Sequence, residues 1–382
     1  KGLSRHSKVR QIHFLRACFL LLSRLRGGGA APVLLLRPAV LSLSPMHASE
    51  ATEATAGYTP WRAARFYIPL LIQAASQSLT YPLVASIVSR GGNGVVDLAA
   101  FAQGQIVMFV IIALGGGLLT TGMVFGKDAE GFRQFRSMNL VFGAALFLVQ
   151  AAVCLHPLDH LVFRRVIGLD APMDGVAREV LFLSLPMQAL VFVRNVPLVA
   201  LYNARASLAV NLTTLFRIGL TLLLVPLFLR LGWAGSRMGV LAMTGPIAAE
   251  TLIAHLLARR YVRGLPAATA RTASVREQFM FNVPLSFGGV LLAMAGFMIG
   301  AFIAHAPNAA RMLPIHYVTM GVVNPVGYAA LRMQAVVLSF PPREKRDHSV
   351  FWFALVSGAL LSLVPLVGQI PAAASWYFGS VQ

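Results

Sequence analysis

Residues 98–125 read LAAFAQGQIVMFVIIALGGGLLTTGMVF, a run of 28 residues that contains no charged side chain. A helix needs about 20 mainly apolar residues to cross the hydrocarbon core of a bilayer. A run of this length and composition therefore predicts a transmembrane helix. Three consecutive glycines within it, Gly115 to Gly117, indicate either close packing against another helix or a flexible kink.

The rest of the chain follows the same pattern. Of its 382 residues, 57% are hydrophobic and only 12% are charged, whereas a soluble domain carries roughly 25% charged residues. The same length rule predicts nine membrane-spanning helices and an all-α polytopic transmembrane helical bundle. These helices span residues 66–88, 98–125, 138–155, 180–201, 210–229, 239–257, 279–304, 315–340 and 350–368. The amphipathic segment 156–178 is expected to lie along the outer membrane surface.

Positive charge is concentrated in the short loops between the apolar runs. The formal net charge is +19, but charges in such loops set membrane orientation and contact anionic headgroups, so the predicted partner is the lipid bilayer and not nucleic acid. Fourteen Lys and Arg residues fall in one set of alternating segments, which are 61–65, 126–137, 202–209, 258–278 and 341–349. The intervening loops hold seven. Because cytoplasmic loops carry the excess, we expect the N-terminus inside, Gln382 on the opposite side, and a location in a bacterial cytoplasmic (inner) membrane.

The N-terminal segment differs from the rest in composition. Residues 1–45 contain eight basic residues and no acidic one, and a polar stretch follows from His47 to Pro60. We interpret residues 1–60 as a basic, disordered extension. Two origins fit this composition: translated upstream sequence with Met46 as the natural start, or a disordered basic tail.

An internal repeat relates two parts of the chain. The first predicted helix opens with Phe66-Tyr-Ile-Pro69-Leu70, and the seventh carries Phe281-Asn-Val-Pro284-Leu285 at its start, 215 residues later. The next helix repeats Ala113-Leu114 as Ala330-Leu331 at an offset of 217. Nearly the same offset over two helices predicts a six-helix unit followed by half of a second one. The predicted domains are a first lobe at 61–257, a cytoplasmic linker at 258–278, and the first three helices of an incomplete second lobe at 279–382, from an intact protein of twelve helices.

Four ionisable side chains fall inside predicted helices, where a charge costs at least about 2.5 kcal/mol at the bilayer centre. Each lies seven or eight residues from the cytoplasmic end of its helix, which corresponds to about 10 Å. They are Arg194, Arg217, Glu250 and Arg332. Four charges at one level predict a hydrated cavity that attracts an anion, with Glu250 paired to an arginine. The alternative is that the arginines extend to the headgroups.

Uncharged polar side chains in the first, second and eighth helices could line the same cavity. They are Gln73, Gln77, Gln103 and Asn324. Hydrogen bonds between helices explain such residues equally well. The sequence contains none of the motifs HExxH, GxSxG, GxxxxGK[ST] or GxGxxG, and Cys18 and Cys154 are not spaced as metal ligands. No enzyme activity, cofactor or metal site is therefore predicted.

Two six-helix units joined by a basic linker, each opening with a proline-bearing helix, resemble the multidrug/oligosaccharidyl-lipid/polysaccharide (MOP) exporter superfamily and its MATE-like members. Three groups of residues look closest to the progressive ankylosis proteins. These are Pro82–Arg90 (PLVASIVSR); Asn324-Pro-Val-Gly327 with Ala335, Val336 and Phe340; and Phe216-Arg217-Ile218 with Gly232, Gly239 and Glu250. The resemblance implies a V-shaped bundle of two lobes that exports a small solute by alternating access.

One departure from the superfamily concerns the first helix. Cation-coupled drug exporters of the superfamily commonly carry an acidic residue there, and residues 66–88 of this chain contain none. The expected function is therefore export of a small anionic solute, with H⁺ or Na⁺ as candidate coupling ions. Two alternatives remain at this point: a flippase for a lipid-linked saccharide, and a non-transporting fragment of such a protein.

Overall fold

A computed structural model describes residues 58–78, 80–204, 206–268, 272–340, 348–367, 370–372 and 375. The N-terminal extension proper, with its start site at Met46, lies outside these residues, as do the side chains of residues 72–79. From Pro60 onward the chain belongs to one compact unit. Its division into two lobes and a linker stays a prediction.

The described residues form helices and contain no strand, so the predicted all-α class is confirmed. The helices up to residue 263 are α1 (Pro60–Ser78), α2 (Thr80–Val88), α3 (Val95–Ala113), α4 (Leu118–Phe125), α5 (Ala129–Val153), α6 (Leu158–His160), α7 (Ala171–Leu183), α8 (Leu185–Asn203), α9 (Ser207–Arg230) and α10 (Ser236–Arg263), with a π-helix at Leu161–Val166. Beyond them lie α11 (Val275–Ala304), α12 (Ala309–Leu331), α13 (Met333–Ser339), α14 (Ser349–Ser362) and α15 (Val364–Val367).

All nine predicted spans coincide with helices, and seven of the described segments are long and apolar enough to cross a membrane. Those seven are Val95–Phe125, Ala129–Val153, Ala171–Asn203, Ala209–Arg230, Ser236–Arg263, Val275–Ala304 and Ser349–Leu366. The first and eighth predicted spans are not among them. The first is described on either side of residue 79, as α1 and α2. The eighth is divided at Arg332, which follows α12, a helix with two prolines.

Helix ends differ from the prediction where capping residues determine them. The third span begins at Ala129 and not at 138, because the Asp128 carboxylate accepts a hydrogen bond from the Gly131 N–H at 2.8 Å and so caps the helix. Helix α11 begins four residues early, behind a capping box formed by Ser274 and Glu277. The surface segment expected at 156–178 is only partly correct, since α7 already begins at Ala171 and leads into α8.

The helices that repeat in the sequence also meet in the structure. Helix α12 packs against α1 and α3, and α11 packs against α3. The Tyr67 hydroxyl of α1 donates a hydrogen bond to the Ala329 carbonyl of α12 at 2.8 Å. The first two spans of the predicted first unit thus contact the first two spans of the second.

The glycine triplet shows both of the features considered for it. Helix α3 ends at Ala113 and α4 begins at Leu118, so the span is interrupted there. A Cβ atom on Gly117 would lie 2.5 Å from the Leu285 Cβ atom and 2.7 Å from the Asn282 side-chain oxygen. Its N–H group donates to the Ser286 hydroxyl at 3.2 Å. The break therefore lets the backbone of the second span approach α11 closely.

Connections between the helices alternate between two ends of the bundle. The Gly235 N–H bonds to the Ile87 carbonyl at 3.0 Å, which joins the loops after α2 and α9 at one end. The Ala129 N–H bonds to the Pro266 carbonyl at 2.9 Å, which joins the α4–α5 loop to the segment after α10 at the other. Large apolar side chains such as Phe287, Phe302 and Phe351 are exposed on the outer faces, as expected of surfaces that contact lipid.

Candidate functional site

A charged cluster lies where α8, α9 and α10 pack together. Glu250 of α10 is only 2% exposed. One of its carboxylate oxygens, Oε2, lies 2.9 Å from Nη1 of Arg194 and 3.4 Å from Nη1 of Arg217. The other, Oε1, accepts a hydrogen bond from the Thr214 hydroxyl at 3.3 Å. Both oxygens of this buried carboxylate are therefore occupied.

Helix geometry explains why these side chains meet. Thr214 and Arg217 are three residues apart in α9, so they project from the same face of that helix. Both α8 and α9 pack against α10. The structure brings together three of the residues predicted to lie at one depth. One ion-pair network joins Arg194, Arg217 and Glu250. Within the structure, Arg194 and Arg217 are each paired with a carboxylate on a neighbouring helix.

The cluster carries excess positive charge and unused hydrogen-bond donors. Two guanidinium groups share a single carboxylate, which leaves a net charge of +1. Arg217 is 8% exposed. The Nε groups of both arginines are buried and have no hydrogen-bond partner among the described residues. Buried donors without partners are uncommon and costly, and a guanidinium group suits carboxylate or phosphate oxygens.

Arg332 contributes to the same electrostatic environment without joining the network. It lies at the break between α12 and α13, is partly buried, and forms no ion pair within the described part of the chain. Its charge, like that of Arg194, repels Arg217. The eighth span thus adds a third positive charge to the surroundings of Arg217.

The two uncharged candidates whose side chains are described, Gln103 and Asn324, form no hydrogen bond to the cluster. Gln103 is buried at the contact between α3 and α11, where its amide lies against Gly300, and its side-chain oxygen has no hydrogen-bond partner among the described residues. Asn324 is partly buried in α12 and makes no hydrogen bond to another described residue. The side chains of Gln73 and Gln77 lie outside the described part.

A second polar group, inside the first six spans, was missed in the sequence. Asn139 of α5 donates to the Phe192 carbonyl at 2.7 Å and accepts from the Asn195 amide at 3.2 Å. The Gln150 amide donates to the Leu181 carbonyl at 2.9 Å. Asn139 and Gln150 are eleven residues apart, about three helical turns, so that spacing of amides on one helix face was the available signal.

Comparisons with known proteins place this arrangement in a known fold. No protein-family model matches the chain, and no curated protein sequence matches it significantly. Among solved structures, a MOP superfamily transporter from Pyrococcus furiosus is 17% identical, with a TM-score of 0.60 over 84% of this chain and 74% of that one. An outward-facing MATE multidrug transporter is 17% identical, with a TM-score of 0.62 over 85% and 77%. A eukaryotic MATE transporter is 15% identical, with a TM-score of 0.58 over 84% and 75%.

The chain therefore has the fold of the MATE transporters of the MOP superfamily, as the resemblance predicted, and it is an integral membrane protein. These likenesses are too distant in sequence to carry a substrate with them.

Proposed function

We propose that this chain is a secondary transporter that exports a small anionic solute by alternating access. The observation that carries the proposal is the charged cluster. Arg194 and Arg217 share one carboxylate, and their buried Nε groups have no partner among the described residues. Arg332 adds a third positive charge to the surroundings of Arg217. A bound anion would accept hydrogen bonds from these groups and reduce the repulsion among the three arginines.

The fold supports a transport role for a charged pocket. The Pyrococcus furiosus transporter of this fold is described as having a binding pocket of reverse polarity, which suggests a different function for it. In the present chain the described residues of the first span include no acidic side chain, and Glu250 is neutralised by two arginines. The cluster is thus better suited to an anion than to a cationic drug.

Alternating access gives Arg332 a specific role. Glu250, Arg194 and Arg217 belong to the fourth to sixth spans, and Arg332 belongs to the eighth. Rocking of the predicted lobes would change the distance between Arg332 and the cluster. An anion bridging them would be held in one state and released in the other. A bound anion would compete with Glu250 for the two guanidinium groups, and the coupling ion is proposed to be H⁺ or Na⁺.

A second candidate function, flipping of a lipid-linked saccharide, is favoured by one feature. An apolar groove of about 710 Å³ lies between α11, α12 and α13 and is lined by Phe281, Leu285, Leu292, Leu331 and Val337, among others. Leu331 and Met333 of this groove flank Arg332 in the sequence. A substrate with an anionic head and an apolar tail could use both surfaces.

The transport proposal predicts a large loss when one arginine is removed. The full chain is reconstituted in liposomes, and uptake is measured separately for inorganic phosphate, a dicarboxylate and a phosphate monoester. The anion that is taken up is then used to test the variants. Arg217→Ala and Arg332→Ala should each reduce its uptake by roughly tenfold or more, since a hydrogen bond to a charged group contributes about 1.5–3 kcal/mol. Arg311→Ala removes an exposed arginine near the other end of α12 and should leave uptake unchanged.

Equal uptake by all three variants would refute the anion site. Uptake of a fluorescent anionic lipid, but of none of the soluble anions, would favour the flippase. Absence of any transport by the unmodified chain would favour a non-transporting fragment.

The proposed orientation, N-terminus inside the cell and the α10–α11 connection on the cytoplasmic side, predicts a labelling pattern. In a chain without Cys18 and Cys154, Ala267→Cys should resist a membrane-impermeant maleimide in intact cells and react after permeabilisation. Gly92→Cys, in the loop after α2, should react from outside. Cys154 itself should react only weakly with the maleimide. Burial and nearby Asp159 raise the pKa of its thiol to about 11, and thiolate is the reactive form. The reverse pattern would invert the topology.

A further inference from the structure

A cluster of histidine and aspartate side chains lies outside the charged site, in the connection between α5 and α7. His156 and His160 flank Asp159 at α6, in the pattern His-x2-Asp-His. One potential ligand atom from each of the three residues lies within 4.8 Å of the others. The two imidazole rings meet edge to face with their centroids 5.0 Å apart. Three nitrogen and oxygen donors therefore converge on one point.

The aspartate is held in place by its neighbours. Asp159 is 5% exposed, and its Oδ2 atom accepts a hydrogen bond from Arg178 Nη1 at 2.9 Å. Its Oδ1 atom accepts the His160 N–H at 2.7 Å and lies 3.6 Å from Nδ1 of His156. A carboxylate oxygen has two lone pairs, so Oδ1 can still bind a cation while Arg178 occupies the other oxygen.

A further carboxylate lies near the His160 ring. Its Nδ1 atom lies 3.8 Å from Oδ2 of Asp174, which is almost fully buried. Asp174 is in turn held by Arg164 at 3.1 Å and by Arg178 at 3.3 Å. A histidine whose Nδ1 faces a carboxylate presents Nε2 to a metal, and this carboxylate–histidine–metal arrangement is common in metal sites.

The donor set selects a class of metal. Two imidazoles and one carboxylate suit Zn²⁺ and its neighbours Co²⁺, Ni²⁺ and Cu²⁺, whereas Ca²⁺ and Mg²⁺ prefer oxygen ligands alone. Ligands of a tetrahedral zinc ion at about 2.0–2.1 Å lie roughly 3.3 Å apart. The separation of 3.6 Å between His156 and Asp159 is close to that value.

The charges of the cluster also favour a metal that binds nitrogen. Arg164 and Arg178 balance Asp159 and Asp174, so with neutral imidazoles the cluster has no net charge. It offers no excess negative charge to attract Ca²⁺ or Mg²⁺. Affinity must then come from the imidazole ligands, which bind as neutral groups.

We propose that His156, Asp159 and His160 form a binding site for a divalent transition-metal ion of the Zn²⁺ class, with one position open to water or another ligand. The ion would join the end of α5 to the connection that leads into α7. The site does not depend on the transport function proposed above, and its test needs no transported solute.

The test is metal binding to the full chain, purified in detergent without a polyhistidine tag and stripped of metal with a chelator. Titration with ZnCl2 in a calorimeter should show a site whose affinity falls by roughly tenfold to a hundredfold in His156→Ala and in His160→Ala. CoCl2 should give a visible absorption band that is lost in both variants. His156 has a side chain that is 73% exposed, so its removal should not impair folding. His255→Ala is the control, since His255 lies in α10 outside the cluster and should leave binding unchanged.

Two results would overturn the proposal. One is zinc binding that is absent from the unmodified chain, or that is as tight in the two cluster variants as in the unmodified chain. The second case would assign the bound metal to other residues. The other is CaCl2 binding as tight as ZnCl2 binding, which would contradict the role of the imidazoles.

Discussion

Replacing Glu250 with glutamine should lower the free energy of unfolding by about 3–5 kcal/mol, the cost of removing one partner from a buried ion pair. The carboxylate is 2% exposed and binds two guanidinium groups at 2.9 and 3.4 Å. Without its charge, Arg194 and Arg217 would repel each other with no compensating anion. Thermal unfolding of the detergent-solubilised protein measures the loss.

Glu130→Gln provides the matched control. Glu130 also pairs with an arginine, Arg133 at 2.8 Å, but that arginine is 77% exposed. Exposed pairs contribute about 0–1 kcal/mol, so this variant should unfold close to the wild type. A loss of less than about 1 kcal/mol in Glu250→Gln would mean that water already solvates both arginines, and the description of the cluster as buried would then be wrong.

A second large effect is expected from Gly104→Leu at the contact between α3 and α7. A Cβ atom on Gly104 would lie 2.7 Å from the Ala177 carbonyl oxygen and 2.9 Å from the Val180 Cβ atom. Because one of these atoms belongs to the backbone, the helices must separate to accept a side chain. Overpacking costs about 1–3 kcal/mol, and we expect the upper end of that range in thermal unfolding.

Gly219→Leu is the comparison for that variant, since a Cβ atom on Gly219 in α9 would meet no atom within 4 Å. The same change of residue should there leave the unfolding temperature within a few degrees of the wild type. Similar losses in both variants would show that the leucine acts through something other than the contact between α3 and α7.

Apolar runs predicted the helices well because the requirement for about 20 apolar residues is a property of the bilayer. They did not reveal the break at Arg332, since hydropathy averaged along a span does not register a local change in backbone direction, whereas the glycine triplet did indicate a kink after Ala113. Helix starts were displaced where single capping residues decide them, as Asp128 does for α5.

The sequence predicted one property of the candidate site, the depth of each charged residue along its helix. Arg194, Arg217 and Glu250 could be placed at one level from the helix ends, and the structure pairs them. The depth of a residue does not reveal which face of its helix contacts the neighbouring helices. For that reason neither the hydrogen bond of Thr214 to Glu250 nor the contact of Gln103 with α11 was foreseen. Anion binding at the cluster stays a prediction.

The hydrogen bond between Ala129 and Pro266 limits how far the helix ends on that side of the bundle can travel. It ties the chain after α10 to the α4–α5 loop at 2.9 Å, so only the chain from Pro266 to Ser274 separates this bond from the start of α11. Eight residues reach at most about 28 Å when fully extended. While that bond holds, the start of α11 cannot move more than about 28 Å from Pro266, and this tether sets an upper limit on the stroke of any rocking motion.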